Sequence, residues 1–159
     1  MLRAIWLKGL PWIYSQETAM MSVILVALWK EIGYYMVMFL AGLQSIPATY
    51  YEAAEIDGAT AMQTFYFLTL PLLKPTILFI VITSLISYFQ TYIPVMVLTQ
   101  GGPGTKTYLA SYIIYNQAFV KYNFGYASAI SFVLFLIIAL LTFASFRLGG
   151  QQNIGGAEK

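Results

Sequence analysis

Three stretches of the chain, 18–43, 76–98 and 124–146, are almost unbroken runs of apolar residues. As helices the first would be about 39 Å long and the second about 34 Å, at about 1.5 Å per residue. Either crosses a hydrocarbon core of about 30 Å with room for tilt. Between the first two runs lies a mixed segment, 45–75, reading SIPATYYEAAEIDGATAMQTFYFLTLPLLKP. Between the last two lies 99–123, which opens on the turn-forming Gly101-Gly102-Pro103-Gly104. The chain closes on a tail, 147–159, in which Arg147 marks the interface and 149–159 is glycine-rich and polar. The pattern predicts an all-α protein, an integral membrane helical bundle of about three transmembrane helices in a single transmembrane domain spanning 1–159.

The mixed segment predicts two short helices with a bend. Pro47 suits a first helical turn, where its missing N–H costs nothing. Thr49 and Glu52 have capping-box spacing, so the start falls at either place. Gly58 takes the position where a helix ends on a left-handed residue. Thr60 and Gln63 repeat the capping-box spacing and open the second helix. Pro71 is expected to stop it, and Pro75 to open the next element. Glu52 and Glu55 share a face at i, i+3. Met62, Phe65, Tyr66 and Leu68 present more apolar surface than a free loop should show.

Polar residues inside the apolar runs are the next signal. Lys30 and Glu31 sit near the middle of 18–43, followed by Gly33. A charge at mid-bilayer costs at least about 2.5–3.5 kcal/mol. These residues must therefore face protein or water. Two readings stand. A break there marks a pathway position, with Lys30, Glu31 and Tyr34 near a solute; or the two charges neutralise each other in a bent helix packed on a partner. In 76–98, Thr83, Ser84, Ser87, Gln90 and Thr91 form a stripe at spacings of three and four, flanked by Tyr88 and Tyr92. Hydroxyls in membrane helices commonly serve packing. A buried amide such as Gln90 needs several partners. Hydroxyl and amide groups beside aromatic rings also suit a sugar. Pro94 is expected to loosen this helix near its end. In 99–123 a helix is expected over 108–120, with Tyr112, Tyr115 and Phe119 as a packing or interface stripe. Gly125, Ala127, Ser128, Ala129 and Ser131 make a small, close-packing start to the third run. Residues 1–17, with Trp6, Lys8, Trp12 and Tyr14, suit a membrane interface.

Composition narrows the class. Of the 159 residues 60% are hydrophobic and 9% charged, against about 25% charged in a soluble domain; mean hydropathy is +0.74. There is no Cys and no His, which excludes disulfides, thiolate metal sites and the usual general base. A net charge of +2 does not point to nucleic acid. Glu52, Glu55 and Asp57 lack the histidine of a Glu-x-x-His metal helix, and the loop makes no evident cleft for a carboxylate pair. No catalytic residue, metal or cofactor is implied.

The run EAAEIDGATAMQTFYFLTLPLLKP resembles the EAA loop of ATP-binding-cassette importer permeases. The flanking FLAGLQSIP, LTQGGPG and FGYASAISFVLFLI resemble the carbohydrate and glycerol-phosphate group of that family. The resemblance covers roughly 19–147. It implies a partial MetI-like permease fold, matching the C-terminal half of a subunit that usually has about six core helices. It further implies that 45–75 is a cytoplasmic coupling loop, with Glu52, Ala53, Ala54, Asp57, Gly58 and Ala59 seated on an ATPase. Glu31, Tyr34, Ser87, Tyr88, Gln90 and Thr91 would line the solute path, and 99–123 would be extracytoplasmic, with Lys106 and Lys121 near a docking surface. The implied partners are a second permease subunit, a cytoplasmic ATPase dimer, an extracytoplasmic solute-binding protein and membrane lipid. The implied location is a bacterial or archaeal plasma membrane.

Charge does not settle orientation. With the loop inside, Lys74, Arg147 and Lys159 are cytoplasmic and Arg3, Lys8, Lys106 and Lys121 are outside, which gives no positive-inside bias. The inward loop follows from the resemblance alone. From its abrupt start the chain is expected to be a truncated product or the product of a partial gene. Two other classes remain open. In an ion-coupled secondary transporter, Lys30 and Glu31 would be a relay; in a membrane scaffold, Glu52, Asp57 and Gly58 would tolerate change.

Overall fold

The computed structural model describes residues 12–150, and every regular element among them is a helix. In chain order these are α1 (Ala19–Gln44), α2 (Ala48–Ile56), α3 (Ala61–Thr64), a π-helical turn (Phe65–Thr69), α4 (Leu70–Leu72), α5 (Lys74–Gln90), α6 (Ile93–Leu98), α7 (Ala110–Tyr115), a second π-helical turn (Asn116–Val120) and α8 (Phe124–Gly150). Among the described residues, three spans are long and apolar enough to cross a membrane: Ala19–Gln44, Lys74–Leu98 and Phe124–Arg147. The all-α, three-span class expected from the apolar runs is what forms. Residues 1–11, with Trp6 and Lys8, and 151–159, most of the polar tail, lie outside the described residues.

The chain divides into two compact units, Met1–Glu31 with Tyr88–Ile137 and Ile32–Ser87 with Ile138–Lys159. The first has its own core of Val23, Val95 and Tyr112, with Tyr92, Met96, Leu98, Leu109 and Tyr115 packed around it. Before α1, the Trp12 carbonyl accepts from Thr18 Oγ1 at 2.8 Å and Ser22 Oγ at 3.0 Å. The α5–α6 break falls at residues 91–92. Pro94 causes it, having no N–H for the Gln90 carbonyl and a ring that crowds it. Within the break, the Thr91 carbonyl accepts from Ser111 Oγ.

The turn after α6 depends on residue type. Gly101 has φ +86, and a Cβ there would run into the Tyr108 and Tyr112 rings. Glycine is required on both counts. Thr107 is fully buried. Its hydroxyl meets Thr99 Oγ1 at 2.8 Å and donates to the Gly102 carbonyl at 2.9 Å. The aromatic stripe is a packed ladder: Tyr108 meets Tyr112 edge-on at 5.4 Å, Tyr115 stacks on Tyr92 at 5.2 Å, and Phe119 lies 5.6 Å from Tyr115. Burial, then the neighbouring Tyr108, raise the Tyr112 phenol above its usual value.

The second unit holds the 45–75 excursion and the helix ends around it. α1 keeps its helical hydrogen bonding through Lys30, Glu31 and Gly33, so the polar interruption does not break it. α8 runs past the expected end at 146 to Gly150. Arg147 lies in its last turn, where a cation complements the helix dipole. Gly149 lies against the Leu78 side chain of α5, so a Cβ there would push the Leu78 methyls aside.

Candidate functional site

The 45–75 excursion is a braced elbow, and its shape follows from local chemistry. α2 starts at Ala48 with Pro47 as its N-cap and no side-chain cap. The start at Pro47 is therefore the one used, and the Thr49–Glu52 box is not. At the other end the backbone forms a full Schellman motif. Gly58 N–H donates to the Glu55 carbonyl at 3.0 Å, and Ala59 N–H reaches back to the Ala54 carbonyl at 3.0 Å. That geometry needs φ > 0 at Gly58, which has φ +74. Nothing lies within 4 Å of where its Cβ would be. Backbone conformation rather than space is what calls for glycine here.

Two residues later the predicted capping box is present. Gln63 Oε1 accepts from Thr60 N–H at 2.8 Å, and Gln63 N–H donates to Thr60 Oγ1 at 3.4 Å. Pro71 does not end this arm as expected. The preceding turn widens into the π form, with Leu70 N–H donating to the Phe65 carbonyl five residues back. This spares the Phe67 carbonyl the proline ring and lets the helix run on through Leu72. The widened turn buries Thr69, whose Oγ1 lies 3.3 Å from the Tyr51 hydroxyl of α2. The two arms are tied together at that point.

The six coupling candidates divide by exposure. Glu52, Ala53, Asp57 and Gly58 are exposed, whereas Ala54 and Ala59 are half-buried in the elbow. Ala54 and Ala59 line a shallow cleft with Gln63, Thr64, Phe67 and Leu68. Sequence reasoning missed two apolar residues here. Ile56 is 86% exposed and Phe67 82% exposed. The signal for Ile56 was available: it follows Ala53 by three and Glu52 by four, which places all three on one helical face.

The six solute-path candidates lie on α1 and around the α5 break. Glu31, Tyr88, Gln90 and Thr91 belong to one unit, and Tyr34 and Ser87 to the other. Tyr34 is exposed, its ring edge-on to Tyr35 at 5.5 Å. Glu31 is half-buried. The stripe on α5 separates chemically. Thr83 Oγ1 donates to the Phe79 carbonyl at 2.8 Å and Ser84 Oγ to the Val81 carbonyl at 2.9 Å, so both are spent on their own helix. Ser87 and Gln90 are exposed.

Comparison with known proteins decides the family. The model of the family described as "binding-protein-dependent transport system inner membrane component" matches residues 4–151. The chain belongs to this family. A lactose transport system permease protein of Rhizobium radiobacter is 41% identical over 157 residues, covering 96% of this chain and 53% of its own length. An sn-glycerol-3-phosphate transport system permease protein of Agrobacterium fabrum is 38% identical over 143 residues, covering 88% and 49%. A crystal structure of a bacterial ABC transporter involved in the import of the acidic polysaccharide alginate is similar with TM-score 0.78, at 24% identity, over 96% of this chain and 54% of that one. A second, of the alginate transporter in complex with an alginate pentasaccharide-bound periplasmic protein, gives TM-score 0.75 at 25% identity, over 93% and 52%. The chain thus spans about half the length of the permeases it matches. Membership of this transport family leaves the ion-relay alternative for Lys30 and Glu31 without support.

Proposed function

We propose that this chain is a permease subunit of an ATP-driven importer for a sugar or sugar-like solute, and that it couples to the ATPase through the 45–75 elbow. The observation that carries the reading is the elbow itself. A Schellman turn and a capping box, two residues apart, fold two short helices into one compact knob. Its exposed face combines Glu52, Ala53, Ile56, Asp57 and Gly58. Such a knob fits a groove on a partner, with Ile56 as apolar anchor and the carboxylates as orienting charges. The family's description as a binding-protein-dependent transport component supports this reading, as do the solutes named for its relatives.

In this mechanism a cytoplasmic ATPase dimer closes on ATP and the seated elbow moves with it. α1 and α5 carry that movement into the membrane as rigid levers. The membrane-spanning part performs no chemistry; hydrolysis belongs to the partner. Glu31, Tyr34, Ser87, Tyr88, Gln90 and Thr91 contribute to the solute path, offering carboxylate, hydroxyl and amide groups beside aromatic rings. A second permease subunit completes that path, an extracytoplasmic binding protein delivers the solute, and lipid of the bacterial or archaeal inner membrane surrounds a multi-pass assembly.

The test is uptake by the assembled importer in proteoliposomes, with labelled lactose and sn-glycerol 3-phosphate as probes. Accumulation that requires ATP and the binding protein is expected for at least one of them. Accumulation that follows an imposed pH or Na⁺ gradient and ignores ATP would contradict the proposal.

A further inference from the structure

The coupling reading leaves open what makes the elbow and the membrane helices move together. The helical glycines differ sharply in surroundings. A Cβ at Gly33 or Gly125 would meet nothing within 4 Å, whereas one at Gly42 would lie 2.6 Å from Thr76 Cγ2, 2.7 Å from its Oγ1 and 3.0 Å from its Cβ. Gly42 is buried. It lets α1 and α5 approach more closely than any side chain would allow, and it does so where the excursion leaves and returns. α1 ends at Gln44 and α5 begins at Lys74, so the contact closes the excursion two residues inside each end. The exit turn is built on the same glycine: Ser45 Oγ donates to its carbonyl at 2.7 Å. Further out, the Tyr51 hydroxyl and Thr69 Oγ1 brace the two arms at 3.3 Å.

We infer that the Gly42–Thr76 contact is the pinch point that makes the elbow, the end of α1 and the start of α5 one rigid body, with Gly42 a positioning residue for coupling. The inference rests on the coupling reading above. An excursion held only by its two chain ends would absorb a push by flexing at residues 45–47 and 73–74. One closed at its base and braced midway passes the push to both helices, because packed contacts do not deform continuously.

The absence of cysteine permits a unique label. An environment-sensitive fluorophore is attached to this chain through Phe79→Cys, an exposed position on α5 beyond the contact, before the complex is assembled. The signal is its change on adding Mg-ATP, with capture of the ATPase subunit measured in parallel. Gly42→Leu should retain capture and reduce the ATP-dependent change about tenfold, within the range of coupling free energies. Gly42→Ala combined with Thr76→Gly, which moves the bulk across the contact, should restore it relative to Gly42→Ala alone. An undiminished change in Gly42→Leu would overturn the inference, as would no recovery in the double variant. Loss of capture in Gly42→Leu would show that the glycine serves the fold of the elbow alone, and would overturn it too. Failure of capture by the unaltered chain would instead bring down the coupling reading.

Discussion

Single residues set the turns on which both units depend, and for different reasons. Gly58 is needed for its φ of +74 in open space. A Cβ there costs about 1–2 kcal/mol from left-handed strain, and asparagine should cost less. Gly58→Ala should therefore lower the thermal stability of the elbow more than Gly58→Asn, measured by hydrogen exchange at the amides of Gly58 and Ala59. Equal protection in the two variants would contradict the φ argument. Gly101 carries strain and collision together, so no substitution rescues it. Thr107 supplies a buried hydroxyl that serves two partners. Thr107→Val should cost about 1–3 kcal/mol, because the Gly102 carbonyl and Thr99 hydroxyl lose it inside the protein. Thr107→Ser should recover most of that in a denaturation midpoint. Tyr112 adds a pH dependence. Its phenol is raised by burial and by Tyr108, so the neutral form is favoured in the fold. That contribution is complete below the ordinary phenol value of about 10 and is lost as pH rises through the higher folded value. Phenolate absorbance should show a late-titrating component that Tyr112→Phe removes.

At the scale of elements, sequence legibility tracked how local the cause was. The Thr60–Gln63 box, the Gly58 end and the Pro94 break depend on residues within a few positions, and each was readable. The box gives a prediction of its own: Thr60→Ala should cost about 1 kcal/mol and speed exchange of the Gln63 amide, leaving α7 unchanged. The effect of Pro71 is not readable locally, because it depends on what the preceding turn can do. A proline ends a helix only where the backbone cannot widen, and here Phe65–Thr69 widens and buries Thr69 against Tyr51. The close approaches at Gly42 and Gly149 were unreadable for another reason. Glycine in a membrane helix signals packing in general, and which helix arrives is a long-range fact. Ile56 was overlooked between two acidic neighbours, although its helical face was fixed by position.

Across the whole chain, apolar runs and low charge were sufficient for class, since little else tolerates so few charges in 159 residues. The proposed solute path was less legible. Its polar residues are few, and hydroxyls such as Thr83 and Ser84 look alike in sequence whether they face a solute or their own backbone. The chain spans about half the length of the permeases it matches, and the proposal that it couples to an ATPase rests on the 45–75 elbow, which lies within the described residues. The most direct test of that claim is capture of a cytoplasmic ATPase subunit in detergent by the native chain, by Glu52→Lys and by Gly58→Pro. Capture is expected to be retained by the native chain and to be at least about tenfold weaker in each variant, a loss of about 1.4 kcal/mol or more. Equal capture by all three, or none by the native chain, would contradict it.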